Sequence, residues 1–400
     1  MPVVKISDSI SYVGILNPIL RIFDVVMKTE YGTTYNSYVV KGSEKTALVE
    51  TCHLSYFEQY LKNIREVTKL EDIDYIILNH CEPDHSGALA RLLELCPKAE
   101  IYVTRAASIY LNNITNGKDL PVHIVKDGEE LSLGDKTLRF IPAPFLHWPD
   151  SMFTYLPEEK AVFTCDFLGS HYCEPHITDD NIVYPKKYED ALAYYYAAIF
   201  GPFPAYVRAG LEKLRGLEFD TALTSHGPVL SRGEKLPLAL EKYAEWSEEK
   251  VFEKPLIPVF YCSAYGNTGK IAEAIAEGIR EAKGDCACNA YDLNDHDMST
   301  MSDLINSATA ICIGSPTINA DAVAPVWQLL SHVDAINSKK KPALVFGSYG
   351  WSGEAVPNIA ARLAGLKMNV FGEGYKVCFV PSDEDLESAR ELGRSFANSF

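Results

Sequence analysis

No Cys-x-x-Cys pair occurs in this 400-residue chain, so the zinc-ribbon and rubredoxin knuckles are excluded. Its ten cysteines mostly sit in apolar, strand-like runs, where a thiol behaves as a small hydrophobe; Cys286-x-Cys288 is too little for a metal knuckle. No apolar run approaches the roughly 18 residues of a membrane span, and "MPVVKISDSI" has no secretory apolar core. A cytoplasmic protein without disulfides is the expectation. Positive charge is scarce: 37 Lys and Arg stand against 54 Asp and Glu, a net charge of -17, which excludes the nucleic-acid backbone as a partner. Both G-x-G-x-x-G and the Walker lysine pattern are missing, which disfavours NAD and ATP. There is no long repeat and no low-complexity tract.

What is present divides in two, as a chain beyond single-core size should. Residues 1–250 mix short β-branched runs ("TALVET", "DYIILNH", "EIYVTR", "KAVFTCD", "TALTSHG") with helices and long loops, and place His and Asp at strand ends. That pattern predicts an α/β sandwich with functional loops along one edge. Around 249–256, charge and two prolines mark a linker. Residues 251–400 alternate strands ("LIPVFYC", "CACNAYDL", "AICIGSP", "ALVFGSY", "YKVCFVP") with helices, one carrying Ile271, Ile275 and Ile279 four apart on an apolar face. Five strands so spaced predict a doubly wound parallel sheet.

Three small-residue loops follow strands of this second half: Ser263-Ala264-Tyr265-Gly266-Asn267-Thr268-Gly269, Gly314-Ser315-Pro316-Thr317-Ile318-Asn319 and Gly347-Ser348-Tyr349-Gly350-Trp351-Ser352-Gly353. The first opens a helix, whose N–H groups and positive dipole end suit a phosphate; helix capping by Asn267 or Thr268 is the plainer alternative. The set resembles flavodoxin, with Tyr265 at the middle position of the usual (Ser/Thr)-x-(Ser/Thr)-Gly-Asn-Thr loop. The resemblance implies non-covalent FMN held by Ser263, Tyr265, Gly266, Asn267, Thr268, Ser315, Pro316, Thr317, Ile318, Asn319, Ser348, Tyr349, Gly350, Trp351 and Gly353.

In the first half, "NHCEPDHSG" crowds His80, Glu82, Asp84 and His85 into six residues. Pro83 biases Glu82 to extended backbone, where alternate residues share a side, so His80, Glu82 and Asp84 converge and His85 points to a second ion. His147 in "FLHWPDS", Asp166 in "KAVFTCDFLGSH" and His226 in "TALTSHGP" stand at strand ends or loops and raise the set to seven, enough for two ions with open positions. The arrangement resembles the metallo-β-lactamase fold and its His-x-His-x-Asp-His motif, with Glu82 where the second histidine stands. A hard carboxylate there moves preference from zinc toward iron or manganese, and an attached flavin suits a redox metal.

Both halves together resemble the flavodiiron proteins, through these motifs and also "GTTYN" (Gly32–Asn36) and "HWPDSMFTY". The resemblance implies a metallo-β-lactamase-like αβ/βα sandwich joined to a flavodoxin-like five-stranded sheet. It makes His80, Glu82 and His147 ligands of one iron and Asp84, His85 and His226 ligands of the other, with Asp166 bridging. His171 and Tyr196 are its candidates for supplying protons or hydrogen bonds. Where many relatives have Arg-x-(Phe/Tyr)-His, this chain has Arg21-Ile22-Phe23-Asp24, and Asp24 donates only when protonated.

The resemblance implies reduction of O2 to water or of NO to N2O, with electrons passing through FMN. As the chain ends at Phe400 with no rubredoxin or reductase module, an external donor is expected, rubredoxin or reduced coenzyme F420. A head-to-tail homodimer or dimer of dimers would bring flavin and irons together. Two rivals are a zinc hydrolase with an accessory flavodoxin domain, and a flavodoxin-like electron carrier whose metal site is structural.

Overall fold

The computed structural model describes residues 3–117, 120–248 and 254–400, and resolves two compact units, Met1–Glu249 and Lys250–Phe400. Most of the linker expected at 249–256 lies outside the described residues.

Two sheets make the first unit. One runs in the order Val4–Lys5, Ile10–Tyr12, Tyr38–Lys41, Thr46–Val49, Tyr75–Ile77, Glu100–Val103, Val122–Ile124; its last three pairings are parallel. The other runs Glu130–Ser132, Thr137–Pro142, Met152–Leu156, Ala161–Cys165, Thr221–Thr224, Leu230–Ser231, antiparallel except between Ala161–Cys165 and Thr221–Thr224. Successive strand residues point to opposite faces, and the burial follows that period. Val40, Ala47, Val49 and Ile77 join Leu138, Phe140, Met152 and Phe163 in one apolar core. Their strand neighbours Val39, Leu48, Ile76, Phe153 and Val162 share a second core with residues of helices Phe57–Val67, Pro185–Tyr195, Pro204–Arg215 and Leu236–Trp246. Both faces of each sheet are therefore apolar, as an αβ/βα sandwich requires.

The second unit has strands in the order Ala290–Asp292, Val259–Tyr261, Ile311–Pro316, Pro342–Tyr349, all parallel. Two short pieces, Asn369–Val370 and Tyr375–Cys378, fill the fifth position, each parallel to Pro342–Tyr349. Only the second piece is evident in the sequence; Asn369–Val370 is too short to show a period. Ile271, Ile275 and Ile279 are fully buried on one side of this sheet with Val259, Cys312 and Leu344. Phe260, Ile313 and Val345 face the other way, toward helices Met298–Ser307, Ala324–Ser331 and Ala355–Gly365. Helices Asn267–Ala282 and Asp383–Ala397 approach so closely that a Cβ on Gly278 would lie 1.9 Å from the Arg390 carbonyl oxygen.

All ten cysteines are free, and among the described residues no helix is long and apolar enough to cross a membrane.

Candidate metal centre and cofactor loops

All seven candidate ligands of the first unit gather at strand ends along one edge of the sandwich. His80, Glu82, Asp84 and His85 follow Tyr75–Ile77; His147 precedes Met152–Leu156; Asp166 follows Ala161–Cys165; His226 follows Thr221–Thr224. They form two adjoining pockets. In one, Glu82 Oε2 lies 3.2 Å from both His80 Nε2 and His147 Nε2, and Asp166 Oδ2 lies 3.9 and 3.6 Å from the same nitrogens. In the other, Asp84 Oδ2 lies 3.0 Å from His226 Nε2 and 3.5 Å from His85 Nε2, while Asp166 Oδ1 lies 3.5 and 3.4 Å from them. Asp166 thus gives one oxygen to each pocket.

The motif is not extended beyond Glu82. Pro83–Ser86 is a single helical turn with Pro83 at its start, where a missing N–H and a fixed φ favour proline. Glu82 stays extended (φ -56°, ψ 145°). Helical spacing, not alternation, then carries Asp84 round to the His85 pocket, away from His80 and Glu82.

The outward imidazole nitrogens of His80 and His226 are held by acceptors, which leaves their inward nitrogens to bind. His80 Nδ1 is 3.0 Å from Asp150 Oδ1, and His226 Nδ1 donates to the Thr34 carbonyl at 2.6 Å. Without a metal the neighbouring carboxylates favour the protonated form of these rings. Burial alone would lower His80, but Asp150 and Glu82 hold it up at about 10. Burial likewise opposes, and Asp84 and Asp166 overcome, so that His85 sits well above its ordinary value and His226 above it. Burial pushes Asp166 and Glu82 up, yet the surrounding histidines leave both carboxyls well below the usual range. Three carboxylates, two of them buried, face four imidazoles and offset most of the charge of two divalent cations; mixed oxygen and nitrogen donors suit iron.

Asp24 reaches this centre from a left-handed backbone position (φ 45°). Partial burial and the neighbouring Glu82 carboxylate raise its pKa to about 7, so Asp24 keeps its proton to higher pH than an ordinary carboxyl. His171 is buried beside the second pocket, its ring 5.2 Å from that of His226; Nδ1 pairs with Thr33 Oγ1 at 2.8 Å and Nε2 has no partner. Burial keeps this ring neutral, its pKa far below the ordinary value.

Tyr196 is not brought to the centre. It packs in a ring cluster with Tyr243 and Trp246, and its hydroxyl has no hydrogen-bond partner. The preceding Tyr195 instead donates to Asp166 Oδ1 at 3.0 Å. Within a run of tyrosines only helical phase distinguishes the two, and a π turn at Tyr196–Phe200 shifts that phase. Sequence reasoning also left Glu50 and Asp150 without roles, although Asp150 lies inside "HWPDSMFTY" and Thr33 and Thr34 inside "GTTYN".

In the second unit the three loops extend from the carboxyl ends of neighbouring parallel strands. Helix Asn267–Ala282 has Gly266 (φ 81°) at its N-cap and no side-chain cap, so neither Asn267 nor Thr268 is the capping residue. Ser263 Oγ accepts from the Gly269 N–H at 3.3 Å. Thr268 and Ser348 join hydroxyls at 2.8 Å; Ser315 Oγ accepts from Val323 N–H at 3.1 Å and donates to the Pro316 carbonyl at 2.8 Å; Thr317 Oγ1 accepts from Ala355 N–H at 3.3 Å. Gly350 and Gly353 are partly exposed, as are Tyr349 and Asn267, and Asn319 is fully so, in a left-handed conformation (φ 56°). Tyr265 is 92% and Trp351 97% exposed, with Ile318 also outward. Large rings bare of protein contact beside an uncapped helix N-terminus fit a planar phosphate-bearing cofactor.

Comparison with known proteins agrees in both units. Residues 33–227 match the family model described as ODP family beta lactamase, and residues 259–393 match flavodoxin. The chain is 50% identical to flavo-diiron protein FprA2 of Clostridium acetobutylicum, with all of both chains covered. It is 35% identical to a nitric oxide reductase of Moorella thermoacetica, covering 98% of each. Among solved structures, rubredoxin oxygen:oxidoreductase of Desulfovibrio gigas has a TM-score of 0.72 at 31% identity, over 99% of this chain and 98% of that one. The chain belongs to the flavodiiron proteins, enzymes that pair a non-haem diiron centre with FMN.

Proposed function

We propose that this enzyme reduces O2 to water, NO to N2O, or both, at an iron pair fed through FMN. One observation carries the reading: Asp166 directs Oδ2 to the His80–Glu82–His147 pocket and Oδ1 to the Asp84–His85–His226 pocket. Those six residues are the proposed ligands, with Asp166 between the ions. When bound, the irons and the flavin would supply the electrons, four for O2 and two for a pair of NO molecules, with an equal number of protons taken up from solvent.

The chain's own residues orient and gate. Asp150 and the Thr34 carbonyl fix which nitrogen of His80 and of His226 faces inward. Tyr195 steadies Asp166 through its hydroxyl. His171, neutral and with Nε2 unpaired, is proposed to bond substrate or product beside the second pocket, and Asp24 to hold a proton at the first. The exposed rings of Tyr265 and Trp351 are proposed to flank the flavin, with its phosphate over Gly266–Thr268.

A head-to-tail dimer, or a dimer of dimers, would seat a second copy's flavin over this mouth. Val25 and Val26, 90% and 80% exposed beside Asp24, support a covered surface there. An external donor, rubredoxin or reduced coenzyme F420, completes the electron supply; the name of the Desulfovibrio gigas relative favours the former. Anaerobic single turnover of the fully reduced, iron-loaded protein with each gas tests the reading. Reoxidation by either gas that His226→Ala abolishes is expected; zinc without iron, together with hydrolytic turnover, would overturn it.

A further inference from the structure

Glu50 follows strand Thr46–Val49 in a left-handed conformation (φ 61°), a costly one for a residue with a side chain, and is buried beneath the second pocket. Its backbone is pinned: the N–H donates to the Ile77 carbonyl at 2.9 Å, and its own carbonyl accepts from Ser37 Oγ at 2.8 Å and Tyr60 Oη at 3.2 Å. Oε1 accepts from the Asn79 N–H at 2.9 Å. Only Oε2 has no hydrogen-bond partner, and it lies 3.5 Å from His85 Nδ1. The next residue, Thr51, holds the His85 carbonyl with both its N–H and its hydroxyl. The other group facing Nδ1 is Cys165 Sγ at 3.9 Å, a weak acceptor.

We propose that Glu50 is a positioning residue that makes His85 a ligand of the second iron: its Oε2 accepts Nδ1–H, which leaves Nε2 unprotonated toward Asp84 and Asp166. A neutral imidazole has one N–H, so an acceptor at Nδ1 is the condition for a lone pair at Nε2. A carboxylate serves both Asn79 and His85, because each oxygen accepts. An amide does not. In Glu50→Gln the oxygen required by Asn79 N–H turns the NH2 group toward His85, which drives the ring's proton to Nε2 and blocks coordination there.

This rests on the diiron reading, and the test separates the two. Metal-free wild type, Glu50→Gln, His85→Ala and the double variant are titrated with ferrous iron, one electron per iron pair is removed with ferricyanide, and the magnetically coupled mixed-valence signal is followed by electron paramagnetic resonance. Wild type should take two ions; Glu50→Gln should keep one at wild-type affinity and bind the second about 10- to 100-fold more weakly. His85→Ala combined with Glu50→Gln should bind no more weakly than His85→Ala alone. Undiminished second-ion affinity in Glu50→Gln, or a further loss in the double variant, overturns the proposal; failure of wild type to bind a coupled pair overturns the diiron reading instead. A measurement independent of Glu50→Gln folding compares nitrogen couplings of wild type and His85→Ala: loss of one imidazole coupling is expected, and identical spectra overturn the proposal.

Discussion

Asp150 grips two consecutive residues of the metal-binding turn, its Oδ1 3.0 Å from His80 Nδ1 and its Oδ2 accepting the Cys81 N–H at 2.8 Å. Both contacts are buried and neither touches a pocket directly. Asp150→Asn removes an acceptor and leaves an N–H facing one of two donors. We expect first-pocket iron affinity to fall about 10- to 100-fold, read as iron retained after dialysis. Retention equal to wild type would count against this role.

Metal-free protein should lose stability as pH rises. His80, held at about 10, and His85 and His226, also raised, bind protons more tightly folded than unfolded, where the value is 6.5. Their contribution is complete below 6.5 and disappears as pH climbs through the folded values. The melting temperature of chelator-treated protein should therefore fall between pH 7 and about 10, and iron binding at pH 7 should release protons measurable with an indicator dye. A melting temperature flat over that interval contradicts the assignment.

The adjacent tyrosines should part company. Tyr195→Phe removes a hydrogen bond to an ionised carboxylate and should destabilise by about 1.5–3 kcal/mol in urea denaturation. Tyr196→Phe removes a buried hydroxyl that has no partner and should be neutral or stabilising, with turnover unchanged. Lost turnover in Tyr196→Phe would restore its catalytic candidacy.

Glu82→His replaces a hard anion by an imidazole in the first pocket. Protein loaded from equimolar iron and zinc should then retain several-fold more zinc than wild type, by elemental analysis. An unchanged ratio would show that Glu82 does not select the metal.

Gly266→Ala tests the flavin loop. The Cβ meets nothing within 4 Å, so the only cost is backbone at φ 81°. At about 1 kcal/mol this should weaken FMN binding roughly five-fold, by flavin fluorescence.

The two fold classes, and the strand ends where the seven proposed ligands gather, were legible because each rests on a local signal. Apolar runs of strand length ended in His or Asp, and Ile271, Ile275 and Ile279 marked one helical face. What escaped depends on phase or on distance along the chain. Alternation put Asp84 beside His80, and only the resemblance put it with His85, because Pro83 starts a helical turn in place of ending an extended one. Tyr195 and Tyr196 differ by one helical step, which a π turn displaces. Glu50 lies 35 residues before His85, and no pattern in "TALVET" marks its carboxylate as the one beneath that ring.

The helical turn at Pro83–Ser86 makes spacing within the motif an angular quantity. A residue inserted after Pro83, inside the turn, would swing Asp84 and His85 by about 100° about its axis, while hardly lengthening the segment. Neither side chain could then be recovered by a small shift of its loop, because the same six residues serve two centres. The motif is a unit that tolerates exchange of side chains but not change of length, and a library built on this scaffold should vary the former and hold the latter constant.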